Sequence, residues 1–182
     1  MNKVRISIIL YLLLLVIGCT EKDITFLISE NSIGRLTSTS EVEAISSVFL
    51  QDSIVRDTLK SKIGSSSKKI QIFEKGGLPL LLLTPSTDSI PTIENVQILD
   101  PRYKAENGIG LLSTFKDIQS SYTIKKIVTT LNSVVIFPKN SNLYFTIDKA
   151  ELPTNLRYTT SNIEAVQIPN GAKIKYLMLG WD

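Results

Sequence analysis

Histidine is absent from this chain of 182 residues, and cysteine occurs once, as Cys19. A Ser, His, Asp triad and a Cys, His dyad both rely on an imidazole as general base, so neither can be built. A zinc site would have to rest on carboxylates alone, without the nitrogen and sulfur ligands that zinc prefers. A single cysteine closes no disulfide within the chain. Carboxylate-pair chemistry or a Ser, Lys dyad are the hydrolytic designs that remain, and neither has a local signature. No cofactor motif is legible either. Gly34 in one place and Gly108 with Gly110 in another lack the further glycines, or the Lys followed by Ser or Thr, that a phosphate loop needs. They are expected to serve tight turns.

Charge of one sign is scarce as well: 20 basic residues stand against 17 acidic ones, for a formal net charge of +3. Lys3 and Arg5 lie at the extreme N-terminus, so a chain without residues 1–18 carries about +1. A protein this close to neutral has no basic field to hold nucleic acid, and none is expected as a partner.

Long apolar runs are also rare, which makes residues 6–17 conspicuous. They follow Lys3 and Arg5 and are interrupted only by Ser7 and Tyr11, the pattern of a secretory signal. The run is about a dozen residues, whereas a membrane-spanning helix needs roughly 20. It closes on Val16, Ile17, Gly18 and Cys19, which resembles the bacterial lipobox at every position. That resemblance implies a lipoprotein signal peptide over residues 1–18, cleavage between Gly18 and Cys19, and acylation of Cys19 of the palmitate type. A single acyl chain binds a membrane only marginally, while two or more hold it stably. The expected mature protein is thus tethered to a membrane through lipid on Cys19 without crossing it. Residues 19–23 read as a polar tether. Glu21, Lys22 and Asp23 resemble the surface-export signal of Bacteroidota-type lipoproteins, and Thr20 is not the aspartate of inner-membrane retention. The expected address is the cell envelope, at the outer membrane.

From residue 24 onwards the sequence repeats itself. Glu30, Asn31, Ser32, Ile33, Gly34, Arg35, Leu36 aligns without gaps on Glu106, Asn107, Gly108, Ile109, Gly110, Leu111, Leu112, with five of seven positions identical. Ile72, Phe73 and Lys75 match Ile136, Phe137 and Lys139, and the block at residues 93–98 matches that at 163–168. Three collinear matches predict a tandem duplication, with repeats at residues 24–100 and 101–182 inside one domain.

Each repeat can be parsed against the other. Ser40 with Glu43 forms a candidate capping box ahead of Val42, Ile45, Val48 and Phe49, which recur at helical spacing. In the second repeat Ser113 or Thr114 caps a helix presenting Phe115, Ile118 and Tyr122. Strands are expected at residues 53–58 and 123–130, then at 69–74 and 78–84 around Gly76 and Gly77, a hairpin signal. Their counterparts are 134–138 and 143–148, turning through Asn140, Ser141 and Asn142. Residues 93–98 and 163–168 read as the closing strands, with one more strand at 174–179. The expected fold is α+β: two tandem repeats, each one short helix plus an antiparallel sheet of about four strands, forming one pseudo-twofold domain. Units this small have marginal cores alone, so the two should share one.

Three surface features invite functional readings. Glu94 with Gln97, echoed by Glu164 with Gln167, is either a solvated strand face or a carboxylate pair for acid and base work. Lys60, Lys62, Lys68 and Lys69 around Ser65, Ser66 and Ser67 read as a solvated loop or a contact to anionic lipid or an acidic partner. Leu80, Leu81, Leu82 and Leu83 point to both faces of a sheet, so they are either buried on both sides or leave an apolar patch. Pro79 suggests an edge strand.

Residues 52–55, 103–110, 113–118 and 144–153 resemble a family of small, uncharacterised Bacteroidota-type lipoproteins. The resemblance implies an exported location and this fold, and it assigns no catalytic residue. Tandem helix-plus-sheet repeats also resemble the β-lactamase-inhibitor protein and the small outer-membrane assembly lipoproteins, which bind other proteins, although their units begin with two helices. The expected function is a non-enzymatic module that binds a protein partner in the cell envelope. The alternatives are an apolar-ligand or lipid-binding lipoprotein and, further off, a carboxylate-dependent enzyme.

Overall fold

The structure is a computed structural model that describes residues 23–58 and 68–181. Cys19, Gly18, the apolar leader, most of the tether, and Lys60, Lys62, Ser65, Ser66 and Ser67 of the basic loop lie outside those residues. The fold is α+β, with mostly strands, two short helices and two sheets. In chain order the described strands are β1 (Leu27–Ile28), β2 (Ser32–Ile33), β3 (Leu36–Thr37), β4 (Ser53–Thr58), β5 (Lys68–Phe73), β6 (Pro79–Pro85), β7 (Ile93–Ile98), β8 (Lys104–Ala105), β9 (Ile124–Thr129), β10 (Ser133–Pro138), β11 (Leu143–Asp148) and β12 (Ile174–Gly180). Helix α1 (Ile45–Val48) precedes β4, and α2 (Phe115–Ser121) precedes β9.

The large sheet has eight strands in the order β4-β5-β6-β7-β12-β11-β10-β9, antiparallel throughout. Two meanders of four strands meet at β7 and β12. Alternation along each strand sends every second side chain to one face, and cross-strand pairing lines these up. Ile54, Ile72, Leu81, Ile98, Leu177, Phe145, Ile136 and Ile127 form one unbroken row across all eight strands. Its six inner members are 0 to 1% exposed. Against this face pack Ile45 and Phe49 of and beside α1, Phe115 and Ile118 of α2, and Ile28, Ile33 and Leu36 of the small sheet, all in the same buried cluster. The small sheet runs β3-β2-β1-β8, with β1 parallel to β8 and antiparallel to β2.

Most strand expectations are met within a residue or two at each end. Gly76 and Gly77 turn the β5–β6 hairpin at positive φ (117° and 94°), and Asn140 does so in the β10–β11 turn at 51°. Gly34 sits at φ 57°, where an added Cβ would lie 2.7 Å from the Thr25 carbonyl oxygen, so the turn between β2 and β3 requires glycine.

Several expectations are corrected. The Ser40 and Glu43 capping box does not form: Ser40 Oγ accepts from Thr37 N–H at 3.0 Å, closing the turn after β3, and residue 41 starts a 3₁₀ turn (Val42–Ala44) that runs into α1. In α2 the box is Thr114 with Asp117, whose Oδ2 accepts from Thr114 N–H at 2.7 Å. The block at 163–168 is not a strand. Its centre is a 3₁₀ turn (Ala165–Gln167) capped by Glu164 and Gln167, and Ile163 N–H donates to Thr129 Oγ1 at 2.9 Å. The place opposite β7 is filled by β12. Pro79 does not mark an edge: β6 lies between β5 and β7, and Pro79 is its first residue, opposite Phe73 where the register shifts. A missing N–H is tolerated at such a position. That shift leaves Leu80 as an extra residue before Leu81, and Leu80, Leu81 and Leu83 are all buried while Leu82 is half-buried.

Candidate functional site

Two regions of the described residues have the makings of a site. The first is the other face of the large sheet, which none of the described helices covers. Val55, Gln71, Leu82, Gln97, Met178 and Tyr144 pair successively across β4 to β11. The row continues as Tyr144 stacks on Phe137, with centroids 5.4 Å apart and an interplanar angle of 19°. Lys126 Nζ lies 4.6 Å above the Phe137 ring. A parallel row runs through Tyr176, Thr146, Val135 and Val128. On the β9–β12 half the face is therefore rich in aromatic and apolar side chains interspersed with Thr146 and Lys126, with Tyr176 42% and Val128 41% exposed. Asn95 Nδ2 donates to Tyr144 Oη at 2.6 Å and fixes that ring, while Asn95 Oδ1 is buried without a partner. The two sheet edges differ. β9 carries a register shift and two exposed lysines, Lys125 and Lys126, features that discourage strand addition, whereas β4 pairs with β5 over six residues without interruption.

The second region is a cavity of about 350 Å³ between the segment leading into β1, the β2–β3 turn, the end of α1 and the β5–β6 hairpin. Its apolar wall is Phe26, Ile33, Val48, Phe49 and Leu80, and Asp52, Glu74, Arg35 and Lys75 stand around it. Arg102 braces one side. Its guanidinium donates to both Asp100 oxygens (Nε at 3.0 and 3.1 Å, Nη2 at 2.7 Å) and to both Glu74 oxygens at 2.9 Å, and it covers the Phe26 ring at 4.2 Å. Phe26 in turn meets Tyr103 edge-on, at 5.1 Å and 77°. Tyr103 is 3% exposed and lines the cavity. Burial, with Asp52 as the next cause, holds its hydroxyl well above the ordinary tyrosine range.

The carboxylates here titrate in opposite directions. Hydrogen bonds from Arg102 hold Asp100 below the ordinary aspartate range. Burial, and then the Glu74 charge, push Asp52 above it. A depressed folded pKa gives stability that is present above the unfolded pKa and lost as pH falls through the folded value; a raised one costs stability at neutral pH and gives it back on acidification. Thermal melts should show Asp52→Asn raising Tm at neutral pH, with the gain vanishing in acid. Arg102→Ala should lower Tm at neutral pH by an amount that shrinks in acid. A gap from wild type that stayed constant with pH would contradict both assignments.

The other sequence-predicted candidates are not brought together. Glu94 is exposed on β7, whereas Glu164 and Gln167 bond each other across the turn they cap, and neither glutamate lines the cavity. Lys68 and Lys69 begin β5. Among the described residues there is no group of three or more Asp, Glu, His or Cys placed to hold a metal, and no helix long and apolar enough to cross a membrane. Phe26, Asp52 and Tyr103 were not legible as a set: they are separated in sequence by 26 and 51 positions, and only the β1·β8 pairing brings residues 26 and 103 together. A faint signal was that two stretches carrying the family resemblance, 52–55 and 103–110, begin at Asp52 and Tyr103.

No protein-family model matches this chain, and no curated protein matches it in sequence. Its fold is similar to the crystal structure of the uncharacterized protein yfeY from Escherichia coli, with a TM-score of 0.53 and 14% sequence identity, covering 85% of this chain and 99% of that one. At that identity the likeness speaks for the fold.

Proposed function

We propose that this protein is an exported lipoprotein, held at the outer membrane by lipid on Cys19, whose open sheet face binds a protein partner in the cell envelope. The observation that carries the reading is the uncovered, partly exposed row of Met178, Tyr144 and Phe137 beside Tyr176 and Val128. Aromatic residues and methionine are enriched where protein surfaces meet, and a contiguous apolar patch on a sheet face marks an interaction site. The lipobox supports the location, and the absence of histidine supports a binding role over a catalytic one.

The same proposal takes residues 24–100 and 101–182 as two copies of one unit. In support, each half supplies a short helix followed by a meander, and Ile72 with Phe73 holds the same place in the first meander as Ile136 with Phe137 in the second. Local dyad symmetry would run between β7 and β12, and the open face would present two related halves to a partner.

A photo-crosslinking residue at Tyr176, in intact envelopes, is expected to give one discrete adduct. Met178→Asp should reduce its yield about tenfold or more, because a charge in a desolvated contact costs well over 1.4 kcal/mol. The same crosslinker at exposed Tyr158 is the control. Diffuse labelling that Met178→Asp leaves unchanged would count against this face.

An apolar-ligand role is a second reading, and the cavity beside Leu80 is what favours it.

A further inference from the structure

We propose that the cavity beside the β2–β3 turn binds a small amphiphile carrying a protonated amine, its apolar body against Phe26, Ile33, Phe49 and Leu80 and its ammonium on the Asp52 carboxylate. The inference rests on the apolar-ligand reading of this cavity and adds the charge of the ligand. At about 350 Å³ the cavity falls at the small end of the roughly 300–1,000 Å³ range for ligand sites. Two polar groups in it have no protein partner. Tyr103 is 3% exposed, yet its hydroxyl makes no hydrogen bond among the described residues. Asp52 is half-buried, and its carboxylate has neither hydrogen bond nor ion pair there.

Neither group is sealed from solvent, so a ligand that fills the cavity has to replace their hydration, and one chemical group serves both. An ammonium donates to the Asp52 carboxylate and to the Tyr103 oxygen together. The competing charges do not serve this purpose. Glu74 and Asp100 are already held by Arg102, and Arg35 and Lys75 are exposed to solvent, where their charge is screened. A ligand carboxylate placed against Asp52 would add a like charge to a carboxylate that Glu74 already disfavours.

The test uses the full chain in nanodiscs of zwitterionic lipid, with empty nanodiscs as blank, and three soluble probes of one shape: phenethylamine, phenethyl alcohol and phenylpropionate. Affinities are read by saturation-transfer NMR. The amine is expected to bind about tenfold more tightly than the alcohol, the scale of one charge-assisted hydrogen bond, and the acid more weakly than either. Asp52→Asn should bring the amine down to the alcohol and leave the alcohol unchanged. Val48→Trp, at a half-buried wall position, should abolish all three by filling the cavity. If the alcohol binds and the amine shows no preference, or if Asp52→Asn leaves the preference intact, the proposal is overturned while the apolar-ligand reading stands. If none of the probes binds, both fall.

Discussion

Truncating Phe145 to alanine is expected to lower the unfolding free energy by about 4 kcal/mol. Phe145 is 0% exposed, lies between Leu177 and Ile136 in the buried row, and meets the Tyr122 ring at 6.0 Å. Strands stand on both sides of it and α2 packs the same core, so little can relax into the space left behind. The cost is the lost transfer energy of the ring plus that of the cavity. Urea denaturation checks this: the midpoint should fall with little change in slope, since the surface exposed on unfolding is nearly the same. Tyr158→Ala, at a position 89% exposed, should move the midpoint hardly at all. A Phe145→Ala midpoint close to wild type would mean that this row is not where the fold's stability resides.

The second large effect concerns location. Cys19→Ala is expected to abolish palmitate incorporation and to move the protein from the membrane fraction to the soluble one. Each buried methylene of an acyl chain contributes about 0.8 kcal/mol, so losing several chains removes the whole attachment. The remaining apolar run of residues 6–17 is too short to span a bilayer. Radiolabelled palmitate and fractionation under carbonate wash read the two parts separately. An unlabelled variant that still sediments with membranes would remove the basis for the proposed anchor.

How much of this was legible in the sequence follows from the range of the forces involved. The strands of the two meanders were readable because alternation at Ile70, Ile72, Val134 and Ile136 is a local consequence of facing one buried layer. Asn140 and the Gly76, Gly77 pair were readable because positive φ is a property of single residues. The block at 163–168 misled because its match to 93–98 is a likeness of letters. Glu94 and Gln97 point away from a strand held on both sides by β6 and β12, whereas Glu164 and Gln167 spend their side chains capping a turn. Pro79 misled because its cost depends on register, and register is set by the strand across from it. The cavity was out of reach for the same reason: Phe26, Asp52 and Tyr103 meet only after two sheets have formed, and no periodicity encodes that.

The position of β12 bears on the order of folding. It follows every other described strand in the chain, yet it sits in the middle of the large sheet, joining β7 to β11. Until it arrives, β4 to β7 and β9 to β11 are two separate ribbons, each with an open inner edge that could recruit a stranger. Pairing Val96 with Leu179 closes a loop of more than 80 residues, the kind of distant contact that slows folding. The two ribbons become one sheet only when that distant pairing forms.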